Sequence, residues 1–161
     1  MVIKKIQYHD MDGDLREDDF YFSMNETQFA RVNAMFPGGL QAFALKAAKD
    51  KNADDMFRVI DTLVREAYGE KVSQGFVKTA PNGQKLSDFF INTEAYDNLM
   101  MELMKSEDTF ITFMTDCLNK NARERVITEF QKQKENGADV PIRVEAEVDD
   151  KPSLTVLDSK K

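Results

Sequence analysis

The chain has 161 residues and a formal net charge of −7, and 42% of its residues are hydrophobic. This length suits one domain with a real core, and the acidic balance disfavours nucleic acids and anionic membrane surfaces, because both attract basic faces. The single cysteine, Cys117, excludes an internal disulfide and indicates a reducing compartment, and no apolar run approaches the roughly 20 residues of a membrane-spanning helix.

Residues 2–22 are predicted to form a β-hairpin. Strand-forming residues lie on both sides of an acidic stretch, and the central pair of that stretch, Asp12-Gly13, is a preferred two-residue hairpin turn. A turn closed on this pair places Tyr8 opposite Glu17.

The same acidic stretch also suggests a second interpretation, a calcium loop of the EF-hand type. Asp10, Asp12 and Asp14 alternate as the first ligands of such a loop do. Its sixth position should be glycine and its twelfth an acid, but here these are Leu15 and Tyr21. The sequence therefore favours the hairpin and predicts no metal site.

Amphipathic helices are predicted after the hairpin, because apolar residues recur at spacings of three and four. Asn25, Asn52 and Thr93 are predicted N-caps, since each side chain can accept a hydrogen bond from the first helical turn. Ser106 marks a fresh helix start after a break. Gly69 is predicted to lie just beyond the C-terminus of the third helix.

The character of the sequence changes after residue 118. Residues 120–135 predict a charged helix, and residues 140–148 (VPIRVEAEV) alternate apolar and polar side chains as a strand does. The alternative for this C-terminal part is a flexible tail that orders only on a partner. We therefore predict a mainly α fold, with a hairpin and helical domain over residues 1–118 and an extension over residues 119–161.

Few residues offer catalytic chemistry. One histidine and one cysteine cannot supply the four ligands of a usual zinc site, and no glycine-rich phosphate loop occurs. Carboxylates are plentiful, but they fall in turns, at helix starts and on polar faces rather than as a facing pair with one raised pKa. The sequence predicts neither an enzyme nor a cofactor.

A cluster of methionine and aromatic residues is the candidate binding surface. Methionine is flexible and polarizable, so methionine-rich faces suit adaptable contacts with partners. The plain alternative is that the methionines fill the core, and exposure of Met101 would favour the binding interpretation. The predicted partner-binding residues are Phe89, Phe90, Tyr96, Met100, Met101 and Met104.

Four stretches together resemble the tail-assembly chaperones of long-tailed bacteriophages. They are DDFYFSMNETQFA, GGLQAF, AYGEK and FFINTEAYDNLMMELM, which follow the family's order and spacing over about residues 6–118. The last stretch is the most distinctive, with an aromatic pair, T-E-A-Y and an apolar helix. The segment VSQGFVK departs from the family pattern because it lacks an expected Asp-Gly turn, and residues 119–161 have no counterpart in the resemblance.

The resemblance implies a non-enzymatic assembly factor of the host cell cytoplasm that is absent from the mature virion. Proteins of this family bind the tape measure protein, keep its long hydrophobic helices soluble and help bring tail tube subunits to it. Self-association stays open. The rival interpretations are a structural virion component, such as a tail or head–tail connector protein, and an unrelated small protein-binding module.

Overall fold

The computed structural model describes residues 1–135, in which a four-stranded antiparallel sheet packs against a set of helices. The strands are β1 (Val2–His9), β2 (Leu15–Phe22), β3 (Tyr68–Val72) and β4 (Gly75–Val77). The helices are α1 (Glu26–Ala34), α2 (Leu40–Lys49), α3 (Ala53–Ala67), α4 (Ser87–Phe90), α5 (Glu94–Leu103), α6 (Glu107–Asp116) and α7 (Lys120–Glu135). The predicted mainly α fold with an N-terminal hairpin is confirmed.

The hairpin is present, but its register differs by one residue from the prediction. Tyr8 lies opposite Arg16 rather than Glu17. The predicted two-residue turn is wrong because the loop has three residues, 11–13. Gly13, with φ of +86°, takes the left-handed position that ends such a loop.

The aspartates of this loop stabilise the turn. The N–H of Asp10 donates to the carbonyl of Asp14, and the N–H of Gly13 donates to the carbonyl of Asp10, both at 2.9 Å. One carboxylate oxygen of Asp10 accepts the N–H groups of Asp12 and Asp14 at 3.0 Å. These bonds lower the pKa of Asp10 below its ordinary value. Within residues 1–135, no acidic or histidine–cysteine group is arranged to hold a metal ion.

Two further strands extend the hairpin into the sheet, in the order β1-β2-β3-β4. Gly69 lies just beyond the C-terminus of α3, as predicted, because α3 ends at Ala67 and Tyr68 is its C-cap residue. The chain passes directly into β3, however, without the left-handed backbone that glycine often adopts after a helix. Gly69 lies within that strand, opposite Tyr21 of β2. The ring of Phe76 from β4 covers it, which leaves no space for a β-carbon.

The predicted helix starts are confirmed. In four helices the capping side chain accepts a hydrogen bond from the backbone N–H group three residues later. The pairs are Asn25 with Gln28, Asn52 with Asp55, Thr93 with Tyr96, and Ser106 with Thr109. Each bond satisfies a donor that the first helical turn would otherwise leave unpaired. The cap of α1 is reciprocal, since the side chain of Gln28 also accepts the N–H of Asn25 at 3.1 Å.

Helix α7 packs against α2 and α6. Its apolar residues Ala122, Val126 and Phe130 are buried in the same core as the other helices, whereas Ile127 is exposed. The strand predicted over residues 140–148 lies outside the described residues. The division of the chain after residue 118 stays a prediction.

Candidate partner-binding surface

The six predicted partner-binding residues divide into a buried half and an exposed half. Phe90, Tyr96 and Met100 are buried, with Phe90 only 3% exposed. Phe89, Met101 and Met104 are exposed, with 53% exposure for Phe89 and 68% for Met101. Only the three exposed residues can therefore contact a partner in this fold. We restrict the candidate surface to Phe89, Met101 and Met104, called here the α4–α5 trio.

Phe90 joins the sheet to the helices, which explains its burial. Its ring stacks on Tyr68 with centroids 4.4 Å apart and planes within 7° of parallel. It also contacts the rings of Phe20 and Phe22 on the inner face of the sheet, at centroid distances of 5.2 and 5.9 Å. A substitution of Phe90 would therefore report on folding rather than on partner binding.

Tyr96 ties α5 to α3. Its hydroxyl donates to the carboxylate of Asp61, and Arg65 donates its Nε to both oxygens of the same carboxylate at 2.9 Å. Burial, followed by this hydrogen bond, raises the pKa of Tyr96 above its ordinary value. Tyr96 is therefore a structural residue in this conformation.

The exposed methionines lie at the C-terminal end of α5, where Met104 is the C-cap residue. Met101 and Met104 are three residues apart and share one side of the helix. The exposed Asp97 lies four residues before Met101 and therefore on the same side of α5, so this side carries an acidic group next to the two methionines. A single exposed methionine is ordinary, but two on one side of a helix leave apolar area uncovered. Phe89 is a further exposed apolar side chain, on the preceding helix α4.

A groove lined by α1, α2 and α7, called here the α1–α7 groove, is the feature that sequence reasoning missed. It has a volume of about 650 Å³. Its apolar lining consists of Phe29, Ala30, Ala122 and Val126. Glu26 and Arg125 connect α1 to α7 at its edge, with 2.5 Å between Nη2 and Oε2.

No local pattern could have revealed this groove, because its two main helices are separated by some 90 residues of sequence. Phe29 is one of the apolar residues that recur at helical spacing in α1, and Val126 is one of the few that do so in α7. Each pattern predicts a helix with a buried face. Neither shows that the two faces leave a space between them.

Lys78 is the most deeply buried cationic group with a perturbed pKa in the described part of the chain. Its ammonium donates to the backbone carbonyl of Glu66 at 2.5 Å and to the side-chain oxygen of Gln28 at 3.1 Å. Burial lowers its pKa to about 8. Because Glu66 lies in the last turn of α3, this bond satisfies a carbonyl that the helix leaves unpaired. The role of Lys78 is therefore to join α1 and α3.

The lone cysteine and histidine do not form a catalytic pair. Burial raises the pKa of the Cys117 thiol to about 12, so the reactive thiolate is scarce at neutral pH. His9 instead contacts Glu94, with 3.0 Å between Nδ1 and Oε1. No helix within residues 1–135 is long and apolar enough to cross a membrane.

The described part of the chain thus belongs to the class of small, mainly helical proteins that carry an antiparallel sheet at the N-terminus. The model of a phage tail assembly chaperone family matches residues 1–158, and the chain belongs to this family. The match confirms the resemblance and extends it, because most of the segment after residue 118 is included. Searches of curated proteins and of solved structures found no match to the chain.

Proposed function

We propose that the protein binds the tape measure protein of its phage and keeps the hydrophobic helices of that protein soluble until the tail is assembled. In this proposal it also helps recruit tail tube subunits, catalyses no reaction, acts in the host cell cytoplasm and is left out of the mature virion. Family membership supports the assembly role. The identity of the partners comes from the family resemblance.

The observation that carries the binding part of the proposal is the exposure of Met101. It lies on a helix whose Leu99, Met100 and Leu103 are buried in the core, so its own exposure leaves apolar area for another chain. Methionine adapts its shape to different neighbours, which suits a client with many similar helices.

The physical demands on such a chaperone agree with its charge and shape. A long, partly apolar helical client aggregates through its exposed stripes unless another surface covers them. An amphipathic helix can lay its apolar side into a groove of the size found here between α1 and α7. The net charge of −7 would then keep the complex soluble.

Two separate contact regions fit this task better than one tight site, since the client must be released during assembly. We assign the α4–α5 trio as the first region and the α1–α7 groove as the second. Each is small, so each contributes modest affinity, and a long client can occupy several chaperones at once.

The experiment combines a pull-down from infected cells with mass spectrometry of purified phage particles. The tagged chain should retain the tape measure protein and tube subunits, and the particles should lack the chain. Stoichiometric presence of the chain in particles would instead identify a structural virion component. Retention of neither tail protein would refute the proposed partners.

A further inference from the structure

The walls of the α1–α7 groove are one side of α1 and one side of α7. Four residues of each helix line it, at the spacing i, i+3, i+4 and i+7 that marks a single helical side. On α1 the four begin at Glu26 and end at Asn33, and on α7 they begin at Ala122 and end at Glu129. Each wall is therefore about 10 Å long, at 1.5 Å per residue, which suits two turns of another helix.

Gln41, the second residue of α2, also lines the groove. Only 8% of this residue is exposed, yet its side-chain amide makes no hydrogen bond to any residue of 1–135. Within the same residues, Oε1 of Gln133 is the side-chain atom that is both fully buried and unbonded. The unbonded amide of Gln41 therefore keeps contact with open space, and the groove is the space that it lines.

Asn33 holds Gln41 in this position. Helix α2 begins after Gly39, which has no side chain to cap it, and Oδ1 of Asn33 accepts the N–H of Leu40 at 2.8 Å instead. Leu40 is itself fully buried, so the first turn of α2 is fixed. The amide of Gln41 thus stands on a rigid helical turn rather than on a loop, which suits directional hydrogen bonding.

A partner that fills the groove removes water from the amide of Gln41. This amide carries two donor hydrogens and one acceptor oxygen. A purely apolar partner side would leave them unpaired, and an unpaired buried amide lowers affinity by about tenfold or more. The backbone groups of a helical partner are already paired within its own helix, so the matching group must be a side chain. Asn and Gln match best, because each presents both a donor and an acceptor.

The charges at the rim of the groove favour a cationic group in the same partner. Arg125 is paired with Glu26, whereas Glu129 has no ion-pair partner within residues 1–135. The rim therefore carries one unmatched negative charge, in a protein whose net charge is −7. A lysine or arginine near Glu129 would complement this charge, and an acidic residue would be repelled.

We propose that the α1–α7 groove selects its client helix by two polar residues within two turns. One is an Asn or Gln in the apolar side of the client, bound by Gln41, and the other is a lysine or arginine beside Glu129. The inference rests on the proposed function, since it takes the client to be a helix of the tape measure protein. Phe29 and Val126 supply apolar contact, and Gln41 supplies specificity, because it disfavours apolar sides that lack the amide.

Overlapping peptides of about 20 residues, covering the tape measure protein of the same phage, test this inference by fluorescence polarisation with the full-length chain. Peptides bound in the groove are those whose binding is lost in Ala30→Arg. They should contain Asn or Gln within an apolar helical side, and replacing that residue by leucine should weaken binding to the wild type by about tenfold or more. In Gln41→Leu the same replacement should cause no loss.

Two matched controls separate the groove from the rest of the surface. Gln131→Leu, the same change at an exposed position of α7 outside the groove, should keep the wild-type preference for the amide. Glu129→Gln should weaken binding of the groove peptides by about two- to fivefold at low salt, the effect of one exposed ion pair. Glu70→Gln, which removes an exposed acid from β3, should leave their affinity unchanged.

Urea denaturation separates recognition from a structural role of Gln41. Because its amide has no partner in residues 1–135, Gln41→Leu should be at least as stable as the wild type. A loss of stability would overturn the inference, and so would groove peptides that bind the wild type equally well with leucine. Peptides that all bind outside the groove would overturn it and leave the proposed function intact. Binding of no peptide would overturn both.

Discussion

The ring of Phe76 occupies the space that a side chain on Gly69 would need. A β-carbon built on Gly69 would lie 2.5 Å from Cζ of Phe76 and 2.5 Å from the carbonyl oxygen of Val77. Because one of these neighbours is backbone, the strand pair β3–β4 must shift to accept even alanine. The absence of a side chain at Gly69 therefore serves the close approach of two strands, and not a left-handed helix cap.

Gly69→Ala should consequently lower the free energy of unfolding by about 1–3 kcal/mol, the usual cost of overpacking a well-packed site. Urea denaturation of the variant and the wild type measures this difference. Val72→Ala, which changes an exposed residue of the same strand, is the control and should change stability by less than about 0.5 kcal/mol. A Gly69→Ala variant as stable as the wild type would contradict the geometry.

Phe89 and Phe90 are neighbours in sequence but should respond oppositely to truncation. Phe90→Ala removes a ring that contacts four others and should cost about 3–5 kcal/mol of unfolding free energy. Phe89→Ala removes an exposed ring and should cost less than about 0.5 kcal/mol. Chemical denaturation of the two variants checks the contrast, and equal losses would show that the two rings are wrongly placed.

Lys78 should make stability depend on pH in the alkaline range. Burial lowers its pKa to about 8 in the folded protein, whereas an unfolded lysine titrates near 10.4. Between these values the folded state binds fewer protons than the unfolded state, so the contribution of Lys78 to stability rises with pH. Below about pH 8, Lys78 is protonated in both the folded and the unfolded state, so the full free-energy cost of burying its charge lowers the stability of the fold.

The comparison of wild type with Lys78→Met isolates this effect. The stability of the wild type relative to the variant should increase from pH 8 to pH 10, as measured by urea unfolding at each pH. Lys71→Met, which removes an exposed lysine from β3, controls for the loss of one charge. A difference that stays constant over this range would mean that Lys78 keeps an ordinary pKa in the fold.

Local features of the fold, such as helix N-caps and the hairpin, could be predicted from the sequence because they depend on residues that are close together in it. The N-caps Asn25, Asn52 and Thr93 each act on a backbone group three residues away, and all three were predicted. The hairpin register was missed by one residue, because Asp12-Gly13 is compatible with loops of two and of three residues. The side chain of Asp10 supports the longer loop by binding the N–H groups of Asp12 and Asp14.

The features that sequence could not supply are those that depend on distant elements. The burial of Phe90 requires the sheet residues Phe20, Phe22 and Tyr68, which are distant in sequence. Helical periodicity turns the neighbours Met100 and Met101 toward different sides of α5, and the structure buries Met100 and exposes Met101. It could not tell which side of the short α4 would face the sheet, so both Phe89 and Phe90 entered the predicted surface.

Within the candidate surface, Met101 and Met104 are the residues to change. Met101→Asp/Met104→Asp should weaken binding to a soluble helical fragment of the tape measure protein by at least about tenfold, since it places charges where apolar contact is needed. The variant should keep the circular dichroism spectrum of the wild type. Isothermal titration calorimetry measures the affinity.

The control for this pair is Gln74→Asp/Thr79→Asp, which adds the same two charges to exposed positions near β4. It should bind like the wild type, so that a general charge effect is excluded. Ala30→Arg, which places a long charged side chain in the α1–α7 groove, tests the second contact region in the same assay. Unchanged affinity in the methionine variant would remove the α4–α5 trio from the proposed contacts.

The most direct measurement is the soluble fraction of the tape measure protein when it is expressed with and without this chain. Co-expression should move most of the client from the pellet to the supernatant, in a complex that elutes together on size-exclusion chromatography. A client that remains in the pellet despite abundant soluble partner, or that is equally soluble alone, would contradict the proposal that this protein covers apolar helices before tail assembly.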